Sequence, residues 1–324
     1  MIEIEKIRVL ELFGGIGAIR KALINLKLDY EVLDYVENDK NCAKSYNALY
    51  SENYQVKDIR DYKAPEIEVD LLMHGSPCQD FSRIGEKRGG AKDSKTRSSL
   101  LFETIRVIDE MKIKPKWVIW ENVKGVLDKN MKASFFHYLE EMERLGYENK
   151  YEILSAMDFG IPQKRERIFV ISCLEENNFS FKNLRKRKTR PLKEFLEEDV
   201  SDIYTVRQPS ILSYLSDKPR NKNFKGRLQV IKDFAYTIST KQVRVPNSGI
   251  IDIGDGKFRY LTERECLRLM GFDDKDIDIL EKTHPRRKNC TSSILYKQAG
   301  NSIVVDVLEA IVKEIVKQEK KKAN

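Results

Sequence analysis

Short apolar runs alternate with helix-patterned segments through the first half of this 324-residue chain, and that alternation limits the fold more than any other feature. Residues 7–13 read as a strand, which Gly14-Gly15-Ile16-Gly17 breaks. Residues 18–26 then set Ile19, Ala22, Leu23 and Leu26 at helical spacing. Strand-like runs recur at 31–36, 69–73, 117–120 and 168–172, with helices expected over 43–50, 100–111 and 134–145. Strands joined by helices of this length imply βαβ units. The prediction is an α/β, Rossmann-like domain with a mostly parallel sheet.

The pattern changes near Leu174. Residues 175–258 are richer in charge, Asn, Ser and Pro, with a short strand candidate at 235–240, so a smaller, loop-rich domain is expected. Order returns at Leu261, where Thr262 and Glu265 can form a capping box and Leu261 and Cys266 a hydrophobic staple; Gly271 ends that helix. A last helix over 303–316 is expected to pack back on the first unit, with Lys320–Lys322 as a frayed tail. The division predicted is 1–176 with 296–324, against 177–295.

Composition excludes several classes. With 41% hydrophobic residues, 14 Phe and 14 Tyr, the chain has the apolar area for a core and is not a disordered one. Its apolar runs are too short to span a bilayer, the acidic first residues do not look like a secretory signal, and five scattered cysteines fit reduced thiols. A cytoplasmic protein without a membrane partner is expected. Fifty-nine basic against 51 acidic residues give +8 and a pI near 9.0, which favours nucleic acid as an anionic partner. Residues 182–193 hold Lys182, Arg185, Lys186, Arg187, Lys188, Arg190 and Lys193 and no acid, a run that is either a solvated loop or a phosphate track.

Chemistry concentrates just after the strands. The turn Gly14-Gly15-Ile16-Gly17 permits close backbone approach to a ligand but lacks the spacing of a pyrophosphate site. Glu37 ends the second strand, where an acid commonly holds ribose hydroxyls, and Asp58 is placed to accept from an adenine amino group. Together they suggest a nucleoside ligand; separately they read as a tight turn and two surface acids. Cys78 lies in Gly75-Ser76-Pro77-Cys78-Gln79-Asp80-Phe81-Ser82, in a polar loop that is a poor place for a core thiol, and residues 83–98 read as a lid. Glu121 directly follows the 117–120 strand. Alternation would put Gln163, Arg165 and Arg167 on one face, suited to an anion or else an exposed edge. His74, His137 and His284 are scattered, so no metal is implied, and His74 reads as strand filler.

Six of these segments, in order, resemble the motifs of the DNA C5-cytosine methyltransferase family over nearly the whole chain: 13–17, 75–82, Glu121-Asn122-Val123, Gln163-Lys164-Arg165-Glu166-Arg167, 261–272, and Gln298-Ala299-Gly300-Asn301-Ser302. The resemblance implies a methyltransferase domain that uses S-adenosylmethionine, plus a target-recognition domain. It implies Cys78 as the nucleophile, Glu121 as the partner of cytosine N3, and Arg165 at the base, with Asn122 and Arg167 in support. For the donor it implies Phe13 at the adenine face, Gly14, Gly15 and Gly17 in the turn, and Glu37 at the ribose. Asp58 and Ile59 would stand at the adenine, with Pro77, Leu100, Asn301 and Ser302 completing the pocket. Asn38 occupies a position where members often carry a bulky apolar residue, and Lys57 one where Gly is usual. The partner implied is duplex DNA with the target base flipped out, met by Arg83, Gln163, Arg165, the 182–190 basic residues and Thr237. The size resembles that of bacterial and phage members, acting as monomers with or without a cognate restriction endonuclease. The alternatives are a tRNA cytosine methyltransferase on the same scaffold, or a non-catalytic DNA-binding regulator.

Overall fold

A computed structural model describes residues 6–76, 99–129, 131–213, 215, 228–243 and 248–322. The first half folds as β1 (Ile7–Leu12), α1 (Ala18–Asn25), β2 (Tyr30–Val36), α2 (Lys40–Tyr50), β3 (Leu71–His74), α3 (Ser99–Glu110), β4 (Trp117–Val123), α4 (Lys132–Arg144), β5 (Glu148–Ser155), β6 (Gln163–Lys164) and β7 (Glu166–Cys173). Six strands form one sheet in the order β2-β1-β3-β4-β7-β5. Pairs β1–β2, β1–β3 and β3–β4 are parallel; β7 pairs antiparallel with both β4 and β5, so it alone runs against the rest. The fold is α/β with a mostly parallel sheet, as expected.

The apolar runs are continuous because both faces of β1, β3 and β4 are covered. Val9, Leu71, Trp117 and Ile119 face one apolar layer with α1 and α9 (Val305–Lys322), while Leu10, Leu12, Leu72, Val118 and Trp120 face the other with α3 and α4. Register then matters for function. Leu12 pairs with both Val36 and His74, and His74 with Trp120, so β1, β2 and β3 end level while β4 passes that level at Trp120 and continues to Val123 along β7. The next residue along each strand (Phe13, Glu37 and Gly75 just past the ends of theirs, and Glu121 within β4) therefore stands along one rim. The chain leaves β1 to opposite sides for β2 and β3, which makes this rim the switch point where open α/β sheets bind ligands.

The second half adds α5 (Pro209–Leu212), β8 (Ala235–Tyr236), β9 (Ile251–Gly254), β10 (Lys257–Arg259), α6 (Glu263–Arg268), α7 (Asp274–Thr283) and α8 (Ser293–Asn301). The strand candidate at 235–240 shortens to β8, which pairs parallel with β6; β9 and β10 form a hairpin. Val206, Ile211, Ile250 and Tyr260 make a small apolar group of their own, whereas Leu184, Phe195, Ala235, Ile238 and residues of α6, α7 and α8 join the layer beneath α9. The capping box of α6 forms between Thr262 and Glu265. A second, Asp273 with Asp276, opens α7, and both carboxylates also take the Lys21 ammonium at 2.7 Å. Helix α9 runs on through Lys322 instead of ending near 316, since the Trp117 indole donates to Glu319 at 2.9 Å and Lys322 pairs with Glu175 at 3.0 Å. No helix among the described residues is long and apolar enough to cross a membrane.

Candidate active site

A cleft opens at the rim, lined among others by Phe13, Gly14, Gly15, Gly75, Glu121, Asn301 and Ser302. Its wall begins with the turn after β1. Gly15 has φ +57, which favours glycine, and a Cβ there would meet nothing within 4 Å, so its backbone faces open space. Its N–H donates to Glu37 Oε2 at 3.1 Å, while Glu37 Oε1 accepts from the Asp39 N–H at 2.8 Å. Burial raises the Glu37 pKa, and these backbone donors oppose the rise without cancelling it. Gly17 serves another purpose. At φ +79, a Cβ there would stand 2.5 Å from the Tyr50 ring, so this glycine lets the start of α1 pack on the α2 tyrosines and does not line the cleft.

At the other end of the cleft, Glu121 on β4 is buried 3.2 Å from the Arg167 Nε of β7. Burial raises its pKa, against the pull of Arg167 and Arg165. Arg165 sits in the break between β6 and β7. Its Nη1 donates to Ile238 O at 3.1 Å, and its Nη2 to Gly300 O at 3.1 Å and Ser302 O at 2.7 Å; its Nε has no partner among the described residues. Burial, aided by Arg167 and opposed by Glu121, pushes this guanidinium down to about 9, which still leaves it charged at neutral pH. Gln163 is buried as well, donating to Leu269 O at 2.8 Å and accepting from the Ile238 N–H at 3.1 Å. Asn122 donates to Ser76 O at 3.2 Å and accepts from the Val123 N–H at 2.8 Å, which pins the chain two residues before Cys78. Pro77, Cys78 and Arg83 lie outside the described residues.

The remaining predicted residues are spread more widely. The Lys57 N–H donates to Glu37 O at 3.0 Å, which brings 57–59 alongside the end of β2. Asp58 there is held by Arg60, which lowers its pKa, and Ile59 is buried. Asn38 is exposed, and Leu100 packs at the margin of the α3–α4 layer. Within the basic run, Lys186 pairs with Asp158 at 3.0 Å, and Arg187 with Asp306 at 3.1 Å and Glu309 at 2.9 Å. Arg190 lies over the Phe195 ring, 4.4 Å from its centroid, while Lys182, Arg185 and Lys188 are exposed. Thr237 Oγ1 donates to Lys164 O at 2.8 Å. Two buried polar residues of the cleft, Glu11 and Gln298, went unassigned in the sequence. Glu11 is fully buried in β1, with one oxygen accepting from Tyr46 Oη at 2.7 Å and the other without a partner among the described residues. An acid between Leu10 and Leu12 in an apolar strand was the available signal. Gln298, buried beside it, donates to Asn41 O at 3.1 Å and Ser45 Oγ at 2.8 Å.

This arrangement defines an α/β enzyme whose sheet-end cleft is lined by a glycine turn and by a buried acid paired to a guanidinium. The chain belongs to the C-5 cytosine-specific DNA methylase family, whose sequence profile matches residues 7–317. It is 36% identical over 310 residues to the type II methyltransferase M2.ScrFI of Lactococcus lactis subsp. cremoris, covering 91% of this chain and 81% of that protein. It is 31% identical to the orphan methyltransferase M.SssI of Spiroplasma monobiae, covering 96% and 97% of the two chains. Among solved structures, the Dnmt2 methyltransferase of S. pombe superposes with a TM-score of 0.76 at 20% identity, over 97% of this chain and 99% of that one, a likeness of fold. The methyl donor of the family is S-adenosylmethionine. The residues present fit it: an open backbone cradle at Gly15, an oriented carboxylate at Glu37 for hydroxyl donors, and the Phe13 ring beside them.

Proposed function

We propose that this protein methylates C5 of a flipped-out cytosine in a specific duplex DNA sequence, through a transient bond between Cys78 Sγ and C6 of the base. Cytosine C5 is a weak nucleophile. Addition of the Cys78 thiolate to C6 makes C5 enamine-like, and charge builds towards N3 and O2. Glu121 donates a proton to N3; its buried position, which favours the protonated carboxyl, supports that role. Arg165 stabilises the charge at O2, and Arg167 holds the Glu121 carboxyl in place. The sulfonium donor supplies the methyl group: its S–CH3 bond breaks as the C5–CH3 bond forms. Loss of the C5 proton to a base then expels Cys78 as thiolate, N3 returns its proton to Glu121, and the aromatic ring is restored.

The observation that carries this reading is that Glu121 and the donor-side residues Phe13, Gly15, Asn301 and Ser302 line one cleft, with Asn122 bonded to the backbone just before Cys78. The relatives named as type II methyltransferases favour DNA over tRNA. In the same reading, residues 177–295 recognise the target, with the exposed Lys182, Arg185 and Lys188 near phosphates. Cys78→Ser should abolish methyl incorporation into duplex DNA while donor binding persists, and wild type should form a stable adduct on 5-fluorocytosine duplex. Full activity of Cys78→Ser would overturn the mechanism.

A further inference from the structure

Gly300 belongs to α8, and it is not there for a left-handed backbone conformation, because its φ lies outside that region. A helical glycine costs about 1 kcal/mol relative to alanine, so its presence calls for a steric reason. The reason is a backbone contact. A Cβ on Gly300 would stand 2.5 Å from the Ser239 carbonyl carbon and 2.5 Å from the Thr240 nitrogen. Neither atom can swing aside as a side chain would. The stretch it touches is tied down from the other side: the Ile238 N–H donates to Gln163, Ile238 O accepts from Arg165, and Thr237 bonds Lys164 O. Arg165 closes the box by donating to Gly300 O and Ser302 O.

One guanidinium is thus clamped between the end of α8, which lines the donor half of the cleft, and a stretch of the second half that does not line it. We propose that Gly300 is a positioning residue: its bare Cα seats residues 298–302 on 238–240, so that filling the donor half of the cleft sets the placement of Arg165 in the base half. This rests on the reading above, in which the cleft takes both donor and cytosine. A methyl at position 300 would push the contact from 2.5 Å to an ordinary separation of 3.4 Å or more. The Arg165–Ile238 bond at 3.1 Å would then open beyond hydrogen-bonding distance.

Hydrogen–deuterium exchange of the full chain with and without S-adenosylhomocysteine tests this without knowledge of the DNA sequence. In wild type, the ligand should slow exchange at 11–20 and also, several-fold, at 235–243. In Gly300→Ala, protection at 11–20 should remain while that at 235–243 falls below twofold. Protection at 11–20 with none at 235–243 in wild type, or undiminished protection at 235–243 in the variant, would overturn the proposal. If Gly300→Ala fails to fold, Gln163→Met loosens Ile238 from the opposite side and is read by the same two outcomes. If wild type shows no protection anywhere, the donor assignment itself fails, and the proposal with it.

Discussion

Glu11 offers the cleanest quantitative test of the cleft. Burial lifts its carboxyl from an ordinary 4.5 to about 7, against weaker downward pulls from the Tyr46 hydroxyl and the Arg20 charge. The titratable groups around it include Tyr35 on β2, Tyr46 and Tyr50 on α2 and Arg20 on α1, whose guanidinium bonds Tyr46 Oη at 3.3 Å and not the carboxylate. An acid whose folded pKa is raised is held protonated by the fold. Between 4.5 and 7 the unfolded chain releases the proton and the folded chain keeps it, so stability falls as pH rises; above 7 the full cost, about 3 kcal/mol, is present. Glu11→Gln removes the titration and keeps the shape. Urea unfolding followed by tryptophan fluorescence, without donor, should show the variant gaining on wild type by about 2.5 kcal/mol between pH 5 and pH 8.5. Any constant offset from the new amide cancels, because only the change with pH is compared. Parallel pH dependences would show that Glu11 is ionised in the fold, and the account of its burial would be wrong.

Two further tests concern the far end of the cleft. Asn122→Asp keeps the acceptor for the Val123 N–H but cannot donate to Ser76 O; losing that bond in a buried site costs about 1–3 kcal/mol, so turnover should fall roughly 5- to 150-fold with donor affinity unchanged by calorimetry. Turnover within twofold of wild type would remove Asn122 from the positioning of the Cys78 segment. Because burial raises the Glu121 pKa, its acid form persists to higher pH than an ordinary carboxyl, and wild-type turnover should decline on the alkaline side as that proton is lost. Glu121→Gln should be slower by about 10²- to 10⁴-fold and lack that decline. A variant that keeps the alkaline decline would place the titrating group elsewhere.

What could be read from the sequence, and what could not, follows from the range of the interactions involved. Strands β1, β3 and β4 were legible because both faces are buried, which writes a continuous apolar run, and the shared register of Leu12, His74 and Trp120 brings the residues just after each run to one rim. A residue directly after such a run is therefore a site candidate by position alone, which is how Phe13, Glu37 and Glu121 could be picked. The base end of the cleft obeys a different logic. Arg165 departs from the alternation expected over 163–167 because its partners are the carbonyls of Ile238 and Ser302, 73 and 137 positions away. A backbone carbonyl is the same atom in every residue type, so no local pattern announces that it will accept from a guanidinium. The same holds for Gly17 and Gly300, whose missing Cβ answers to the Tyr50 ring and the Ser239–Thr240 backbone, and for Arg187, which a charge count assigns to the basic run while Asp306 and Glu309 take its guanidinium. Side-chain chemistry near a strand end is written locally. The contacts that aim that chemistry are made to main chain far away, and they become visible only when the second half of the chain is folded onto the first.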